Sequence, residues 1–267
     1  MTTTLRHTPA RPIAASVIPA RIVAVASGKG GVGKTWLAIT LAHALARAGR
    51  RVLLFDGDLG LANVDIQLGL MPAHDIASVI AGKCRLADAL VNHPAGFDIL
   101  AGHSGSGALA TLDDTALDAV LAALRAAASG YDHAVLDLGA GIDRTTRRLS
   151  RFADLLLVVA TEEPTSLTDA YAVLKLHHAD RSAPSAARPS EARIVVNQAS
   201  TAAAGERTYA TLARACAAFL GHTPPLAGII RRDDRVRDAI RRQTPLLQRH
   251  PNAPAAADVE RLAAALE

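Results

Sequence analysis

Four glycines, two lysines and a threonine stand together near the start of the chain, in the segment Gly28-Lys29-Gly30-Gly31-Val32-Gly33-Lys34-Thr35. The segment fits the pattern G-x-x-x-x-G-K-[ST], which is typical of loops that bind nucleotide phosphates. Glycines let successive backbone N–H groups point at one anion without Cβ clashes, and a helix that begins at Thr35 adds its positive end. We therefore expect ATP to bind along Gly28–Thr35, with Lys34 at the β- and γ-phosphates and the Thr35 hydroxyl on Mg²⁺.

Acidic residues follow two later apolar segments that have the length of strands. Asp56 and Asp58 come directly after Val52–Phe55, and Asp137 ends the segment His133–Asp137. Carboxylates at the carboxyl ends of parallel strands lie in the ligand crevice of an α/β protein. We expect Asp137 to hold Mg²⁺ through water, as a Walker B aspartate does, and Asp56 to support the metal shell.

Segments of strand length alternate with helical patterns along the rest of the chain. The predicted strands are Ile22–Ala26, Val52–Phe55, Phe97–Leu100, His133–Asp137, Leu155–Ala160, Ile194–Asn197 and Leu226–Ile230. The predicted helices are Thr35–Ala48, Leu112–Ala128, Ser166–Ala179, Glu206–Leu220 and Asp233–Arg242. This alternation predicts an α/β fold with a mostly parallel, roughly seven-stranded sheet covered by helices on both faces. We expect a flexible N-terminal tail over residues 1–20 and a single P-loop domain over 21–267, ending in a short helix at Ala255–Leu266.

The composition argues against several classes of protein. A net charge of +4 on 267 residues is weak evidence for nucleic acid binding. No apolar run reaches the ~18–20 residues of a membrane-spanning helix, and the first twenty residues carry no continuous apolar segment of a secretory signal. Cys84 and Cys216 stand alone, so neither a disulfide framework nor a zinc site is expected. We expect a cytoplasmic protein.

The two lysines of the phosphate loop, and the acidic segment that follows, are similar to those of the MinD/ParA group of deviant Walker A ATPases. In that group the lysine at the position of Lys29 crosses a dimer interface and contacts the nucleotide of the partner subunit. This resemblance implies a catalytic role for Lys29 beside Lys34. It also implies that Asp58 orients the attacking water.

Two later segments are expected to contact the adenine. Asn197 ends the strand Ile194–Asn197 with an amide that can donate to and accept from a purine edge. The segment Gly228-Ile229-Ile230-Arg231-Arg232-Asp233 resembles the G-x-I-P-x-D loop of MinD-like proteins, with Arg231 where proline is usual. The resemblance implies adenine contacts for Arg231 and Asp233.

Within this group the chain is most similar to the flagellar MinD-like ATPases of the FlhG/FleN type. The similarity extends over Arg21–Pro245, and its strongest stretch is Glu163-Pro164-Thr165-Ser166-Leu167-Thr168-Asp169-Ala170-Tyr171. It implies an ATP-dependent homodimer with slow turnover that regulates flagellar number, placement or assembly. The partners that it implies are the flagellar GTPase FlhF or a flagellar transcription regulator, and the location is peripheral, at the cell pole or inner membrane.

Three features differ from those relatives. Only Leu5-Arg6 resembles the N-terminal element that engages FlhF, and Leu138 stands where the relatives carry a Walker B threonine. The C-terminal segment has three acidic residues and one arginine, so it is not the basic amphipathic helix that binds anionic lipid. We expect this helix to pack on the domain and membrane binding to be weak or absent.

Two other functions remain open. Seven arginines between Arg231 and Arg249 suit a ParA-like DNA-partitioning ATPase, although a solvated helix face is the simpler interpretation and nucleic acid is not the expected partner. A MinD-type division-site ATPase is the other alternative, and membrane binding would distinguish it.

Overall fold

A computed structural model describes residues 19–60, 62–102, 113–181 and 190–267. Over these residues the chain forms one sheet of eight strands in the order β3-β4-β2-β5-β1-β6-β7-β8. The strands are β1 (Arg21–Ser27), β2 (Val52–Gly57), β3 (Leu90–Asn92), β4 (Asp98–Leu100), β5 (His133–Ala140), β6 (Leu155–Ala160), β7 (Glu191–Ala199) and β8 (Leu226–Arg231). Strand β3 pairs antiparallel with β4, and the other neighbouring pairs are parallel.

Helices connect these strands and cover the sheet. They are α1 (Lys34–Arg47), α2 (Val64–Leu68), α3 (Ile76–Ile80), α4 (Leu86–Ala89), α5 (Asp114–Ala128), α6 (Arg144–Phe152), α7 (Pro164–Arg181), α8 (Ala202–Leu220), α9 (Asp234–Arg241), α10 (Leu246–Arg249) and α11 (Pro254–Ala264). None of the helices in the described ranges is both long enough and apolar enough to cross a lipid bilayer.

Each face of the sheet carries its own core, because neighbouring residues of a strand point to opposite faces. In β1, Ile22 and Ala24 pack with residues of α5 to α8, whereas Val23 and Val25 pack with residues of α1 and α9 to α11. The predicted α/β class, with helices on both faces of a mostly parallel sheet, is therefore confirmed. The predicted seven strands are all present.

Two elements of the structure were not predicted, and two predicted features lie at least partly outside the described residues. Strand β3 was not predicted because it has only three residues, which are half-buried or exposed. Helix α6 was also missed, because its sequence RTTRRLSRF shows almost no apolar periodicity. The predicted helix start at Leu112 lies outside the described residues, as does nearly all of the predicted tail over residues 1–20. The division into a tail and a single domain stays a prediction.

The strand order brings the polar residues to one edge of the sheet. Strand β1 lies between β5 and β6, and it leads directly into the segment Gly28–Gly33 and then α1. In the parallel register Asp137 of β5 lies beside Asp56 of β2 on one side and Val25 of β1 on the other. The carboxyl ends of β1, β2 and β5 therefore form the ligand crevice of this fold.

Candidate functional site

The loop between β1 and α1 has backbone angles that only glycine adopts easily. Gly31 and Gly33 have φ of 81° and 90°. At Gly28 an added Cβ would lie 2.3 Å from the carbonyl oxygen of Asp169 in α7, so any side chain there would clash with backbone. Gly33 is also the N-cap of α1 and brings no side chain of its own. The first N–H groups of α1 therefore face the loop, as a phosphate requires.

Lys34 is buried at the base of this loop, together with carboxylates. The residue is 9% exposed, and burial lowers the pKa of its ammonium group while the charges of Asp137 and Asp58 oppose the change. Asp58 lies over the end of β5, with its carboxyl carbon 3.5 Å from the position of a Cβ on Gly139. The structure thus brings Lys34, Asp58 and Asp137 to one place.

Asp137 is a carboxylate in an environment that lacks a sufficient counter-charge. Burial, and then the neighbouring Asp56, raise the pKa of Asp137 to about 8, although a hydrogen bond from Thr35 and the charge of Lys34 oppose this. Among the described residues, its buried Oδ1 atom has no hydrogen-bond partner. A hard divalent cation would satisfy this oxygen and remove the cost of the buried charge. Thr35 and Asp137 therefore fit the predicted Mg²⁺, which they would hold directly or through water.

Asp56 has a different set of contacts from the one expected of a metal-shell residue. Its Oδ1 accepts the N–H of Asp58 at 3.1 Å, and its Oδ2 accepts those of Asn63 at 2.7 Å and Val64 at 2.9 Å. Burial raises the pKa of Asp56 to about 6 in spite of these three N–H groups. Asp56 therefore anchors the loop that carries Asp58, and its support of the metal shell stays a prediction.

Lys29 lies on the outer side of the loop and bonds within its own chain. Its Nζ donates to Glu163 Oε2 at 2.7 Å and to Thr165 Oγ1 at 3.1 Å. Glu163 belongs to the segment that joins β6 to α7, and Thr165 lies in the first turn of α7. The hydrogen bond from Lys29, and then its charge, lower the pKa of Glu163.

The three residues predicted at the adenine all have partners within the chain. Asn197 Nδ2 donates to the carbonyl oxygen of Val32 at 2.7 Å, which places Asn197 against the phosphate loop. The guanidinium of Arg231 instead points to α11, where it donates to Asp258 at 2.8 and 2.9 Å. Asp233 caps α9 by accepting the N–H of Arg235 at 3.0 Å. The side chains of Asn197 and Arg231 thus bond to different parts of the chain, and the adenine contacts stay predictions.

Comparison with known proteins decides the family. The sequence profile of the CobQ/CobB/MinD/ParA nucleotide binding domain matches residues 23–246. The chain belongs to this family. Its curated relatives include Antiactivator FleN of Pseudomonas aeruginosa, 37% identical over 90% of this chain and 84% of the relative. Flagellum site-determining protein YlxH of Helicobacter pylori is 31% identical over 72% of this chain and 63% of the relative.

Solved structures of the family agree with the fold. Septum site-determining protein MinD of Pyrococcus horikoshii, complexed with Mg-ADP, is 25% identical with a TM-score of 0.74, over 93% of this chain and 96% of that one. The cell division ATPase MinD of Pyrococcus furiosus has a TM-score of 0.75 at 24% identity, over 92% and 98%. The protein is a P-loop ATPase of the MinD/ParA family. The prediction of a nucleotide and Mg²⁺ as its cofactors is confirmed.

Two contacts of this site were not predicted from the sequence. Glu163 and Thr165 were noted only as part of a similar stretch, and nothing in the sequence tied them to Lys29. Gln198 was not singled out, yet its Nε2 donates to the carbonyl oxygen of Gly31 at 3.2 Å. No local pattern indicates either contact, because both depend on how distant strands end at the same edge of the sheet.

Proposed function

We propose that this protein is an ATP-dependent dimerising switch that regulates the number or placement of flagella. The observation that carries the proposal is the 37% identity to Antiactivator FleN, which extends over 84% of that protein and so includes more than the nucleotide site. The similarity to flagellum site-determining protein YlxH supports the same function. The phosphate loop, with its two lysines, suits a switch that responds to a triphosphate.

The residues of the site have complementary roles in this proposal. Backbone N–H groups of Gly30–Gly33 and the ammonium of Lys34 bind the phosphates, and Thr35 and Asp137 hold the metal. Mg²⁺, when bound, offsets the negative charge of the β- and γ-phosphates. Asp58, on a loop anchored by Asp56, orients the water that attacks the γ-phosphate.

Lys29 is the residue that would connect the nucleotide to dimer formation. In the single chain it is held by Glu163, and the Lys29 and Glu163 side chains are 32% and 66% exposed. An ion pair this exposed contributes only ~0–1 kcal/mol. Lys29 can therefore leave Glu163 at small cost when a partner's triphosphate offers a stronger negative charge.

The location and partners follow from the same proposal. A cytoplasmic protein, peripheral at the cell pole or inner membrane, would meet the flagellar GTPase FlhF or a flagellar transcription regulator. The larger apolar residues of α11, Val259 and Leu262, are buried in the domain, so they are not available to lipid. This packing supports weak or absent membrane binding.

Flagellar counts test the proposal directly. In the organism that encodes this chain, deletion of the gene is expected to change the number or position of flagella per cell in electron micrographs. Wild-type protein and the exposed-lysine variant Lys83→Ala should restore the normal count, whereas Lys34→Ala at an equal protein level should not. An unchanged count in the deletion strain would contradict a flagellar function.

The ParA-like alternative has one observation in its favour. Arg235, Arg237 and Arg241 are exposed on α9, and these three arginines could contact a phosphate backbone. If the protein binds DNA through them, retention on DNA should fall steeply with salt, by about one unit of log–log slope for each phosphate contact. Retention that vanishes in Arg237→Ala/Arg241→Ala, together with normal flagella in the deletion strain, would favour this alternative.

A further inference from the structure

Two neighbouring amides at the end of β7 bond to two neighbouring carbonyls of the phosphate loop. Asn197 Nδ2 donates to the carbonyl oxygen of Val32 at 2.7 Å, and Gln198 Nε2 donates to that of Gly31 at 3.2 Å. Both amides lie beneath Gly33, where an added Cβ would be 2.5 Å from Asn197 Nδ2 and 3.7 Å from Gln198 Nε2. The two amides therefore pack so closely against Gly33 that a side chain at this position would clash with Asn197.

The planarity of the peptide bond gives these contacts a consequence. In a trans peptide the C=O of one residue and the N–H of the next point in opposite directions, and the described residues contain no cis peptide. A carbonyl of Gly31 held toward Gln198 therefore turns the N–H of Val32 away from β7. In the same way, the carbonyl of Val32 held by Asn197 turns the N–H of Gly33 away. These are consecutive N–H groups of the phosphate loop.

Gln198 has an unusual backbone conformation that makes this arrangement possible. Its φ is 56°, in the left-handed region that a residue with a side chain seldom adopts. In this conformation its own N–H reaches Asn197 Oδ1 at 2.9 Å, which directs the NH₂ of Asn197 toward Val32. The register of β7 against β8 also shifts between Val196 and Ala199. Strained residues and register irregularities of this kind concentrate at functional sites.

We propose that Gln198, with Asn197, is a positioning residue of the phosphate site: the two amides hold the loop carbonyls so that the N–H groups of Val32 and Gly33 point at the nucleotide phosphates. Gln198 does not contact the phosphates itself. The proposal rests on the phosphate-binding role assigned to Gly28–Thr35 under the proposed function. It also assigns Asn197 a role in orienting the phosphate loop, in addition to the predicted contact with adenine.

The variant Gln198→Gly separates this role from a purely structural one. Glycine removes the side-chain donor but adopts a positive φ without strain. The thermal midpoint without nucleotide should therefore stay the same or rise. The affinity for Mg-ATP, measured by calorimetry, should fall by ~3- to 10-fold, the effect of one hydrogen bond that orients a binding group. Gln198→Ala should lose the same affinity and also stability.

The chain offers a matched control in Gln243. This second glutamine has a φ of 50°, and its Nε2 donates to a backbone carbonyl, that of Ile66 at 2.8 Å. Gln243→Gly therefore removes the same strain and the same kind of hydrogen bond away from the phosphate loop. Its affinity for Mg-ATP should equal that of the wild type.

The outcomes distinguish the proposal from the assignment on which it rests. Loss of ATP binding in Lys34→Ala with wild-type affinity in Gln198→Gly would overturn the role of Gln198 and leave the phosphate site intact. Equal losses in Gln198→Gly and Gln243→Gly would overturn it as well. Unchanged ATP affinity in Lys34→Ala would overturn the phosphate site itself.

Discussion

At the scale of single residues, the site combines one lysine with two aspartates, and burial favours the neutral form of all three. Lys34 is buried, and the pKa of its ammonium is lowered by that burial, yet Asp58 and Asp137 lie close enough to oppose the change. Burial raises the pKa of Asp137 to about 8 and that of Asp56 to about 6. A bound cation would lower the pKa values of the two aspartates and a bound triphosphate would raise that of Lys34, so the crevice favours the binding of Mg²⁺ and triphosphate together.

Asp58 should separate hydrolysis from binding. Asp58→Ala removes the carboxylate that we propose orients the attacking water but leaves the loop amides and Lys34, so Mg-ATP affinity should stay within ~2-fold while turnover falls by ~10²-fold or more. Calorimetry and a phosphate-release assay measure the two effects.

Asp65→Ala is the control for this change, because Asp65 lies on the same segment and its side chain accepts a local hydrogen bond from the N–H of Ile66. It should hydrolyse ATP at the wild-type rate. Wild-type turnover in Asp58→Ala would remove Asp58 from the mechanism.

The residues that carry chemistry could be predicted where the chemistry is local. Gly31, Gly33, Lys34 and Thr35 belong to one continuous motif, so spacing alone predicts their roles at the phosphates and Mg²⁺. Gln198 could not be predicted, because its contribution depends on a left-handed backbone conformation that glutamine seldom adopts. Arg231 differs, since its position in the sequence predicts a contact with adenine, whereas its ion pair with Asp258 of α11 has no signal in the sequence.

At the scale of elements, α11 is part of the fold rather than an appendage. Asp258 of α11, with its side chain 1% exposed, accepts the backbone N–H of Arg231 at 2.9 Å and the guanidinium of the same residue. Arg261 adds a second cation to the same carboxylate. The predicted packing of the C-terminal helix on the domain is what the structure contains, and α1 and β8 are its main neighbours.

Loss of the Asp258 carboxylate should therefore destabilise the protein. Asp258→Ala leaves the N–H and guanidinium of Arg231 without this acceptor, and the free energy of unfolding should fall by about 2 kcal/mol. The Arg231 side chain is 38% exposed, and solvent keeps the loss below that of a fully buried pair. Urea unfolding measures it.

The same helix contains its own control. Glu260→Ala breaks an ion pair with Arg47 in which the side chains are 45% and 41% exposed, and this should cost less than ~0.5 kcal/mol. Equal losses in the two variants would show that Asp258 does not anchor α11.

Elements differ in how well their sequence indicates them. Strands such as Leu155–Ala160 are apolar throughout and were predicted with the observed bounds. Helix α6 is instead held by ion pairs, for example Arg147 with Asp180 of α7 and Arg148 with Asp118 of α5. Such pairs join distant parts of the chain and produce no apolar periodicity in the sequence.

At the scale of the whole molecule, the strand order is the feature that sequence reasoning could not supply. Alternating strands and helices predict a parallel sheet but not that β1 lies between β5 and β6. That order places Asp56 beside Asp137, although 80 residues separate them, and brings Asn197 of β7 to the phosphate loop. The site is therefore a property of the topology as much as of the motif.

Buried histidines should make stability depend on pH. His43 is 5% exposed, and burial, then Arg47 and His93, lower its pKa to about 4. An unfolded chain has a histidine pKa of about 6.5, so between pH 6.5 and about 4 the unfolded state binds the extra proton and the free energy of unfolding falls as the pH falls. Between pH 7.5 and pH 5 this amounts to about 2 kcal/mol.

The difference in unfolding free energy between the wild type and a histidine variant isolates the contribution of His43. The raised pKa values of Asp56 and Asp137 change stability in the opposite direction, but they do so in both proteins. His43→Leu has no ring to protonate, so the stability of the wild type relative to His43→Leu should decrease by that amount between the two pH values. A constant difference for His43→Leu would contradict the assignment.

The last prediction concerns Lys29 and the assembly of two chains. Two triphosphates that face each other across an interface carry several negative charges, and their burial is costly without cations. Lys34 offsets part of that charge within its own subunit. Lys29, released from Glu163, would offset more in the partner and gains most when ATP is present, so ATP should convert monomer to dimer and hydrolysis should reverse the change. Light scattering measures the mass in each state.

Lys29→Ala should still bind ATP through Lys34 and the loop amides, but it should neither dimerise nor hydrolyse ATP efficiently, whereas the exposed-lysine control Lys83→Ala should behave as the wild type. An equal mixture of Lys29→Ala and Asp58→Ala should regain part of the turnover, at most about one half of the wild-type value, because each mixed dimer has one complete site of two. That site keeps its own Asp58 and receives Lys29 from the other subunit. Full activity in Lys29→Ala, or a dimer that forms equally well without ATP, would instead leave Lys29 as a loop lysine whose partner is Glu163 of its own chain.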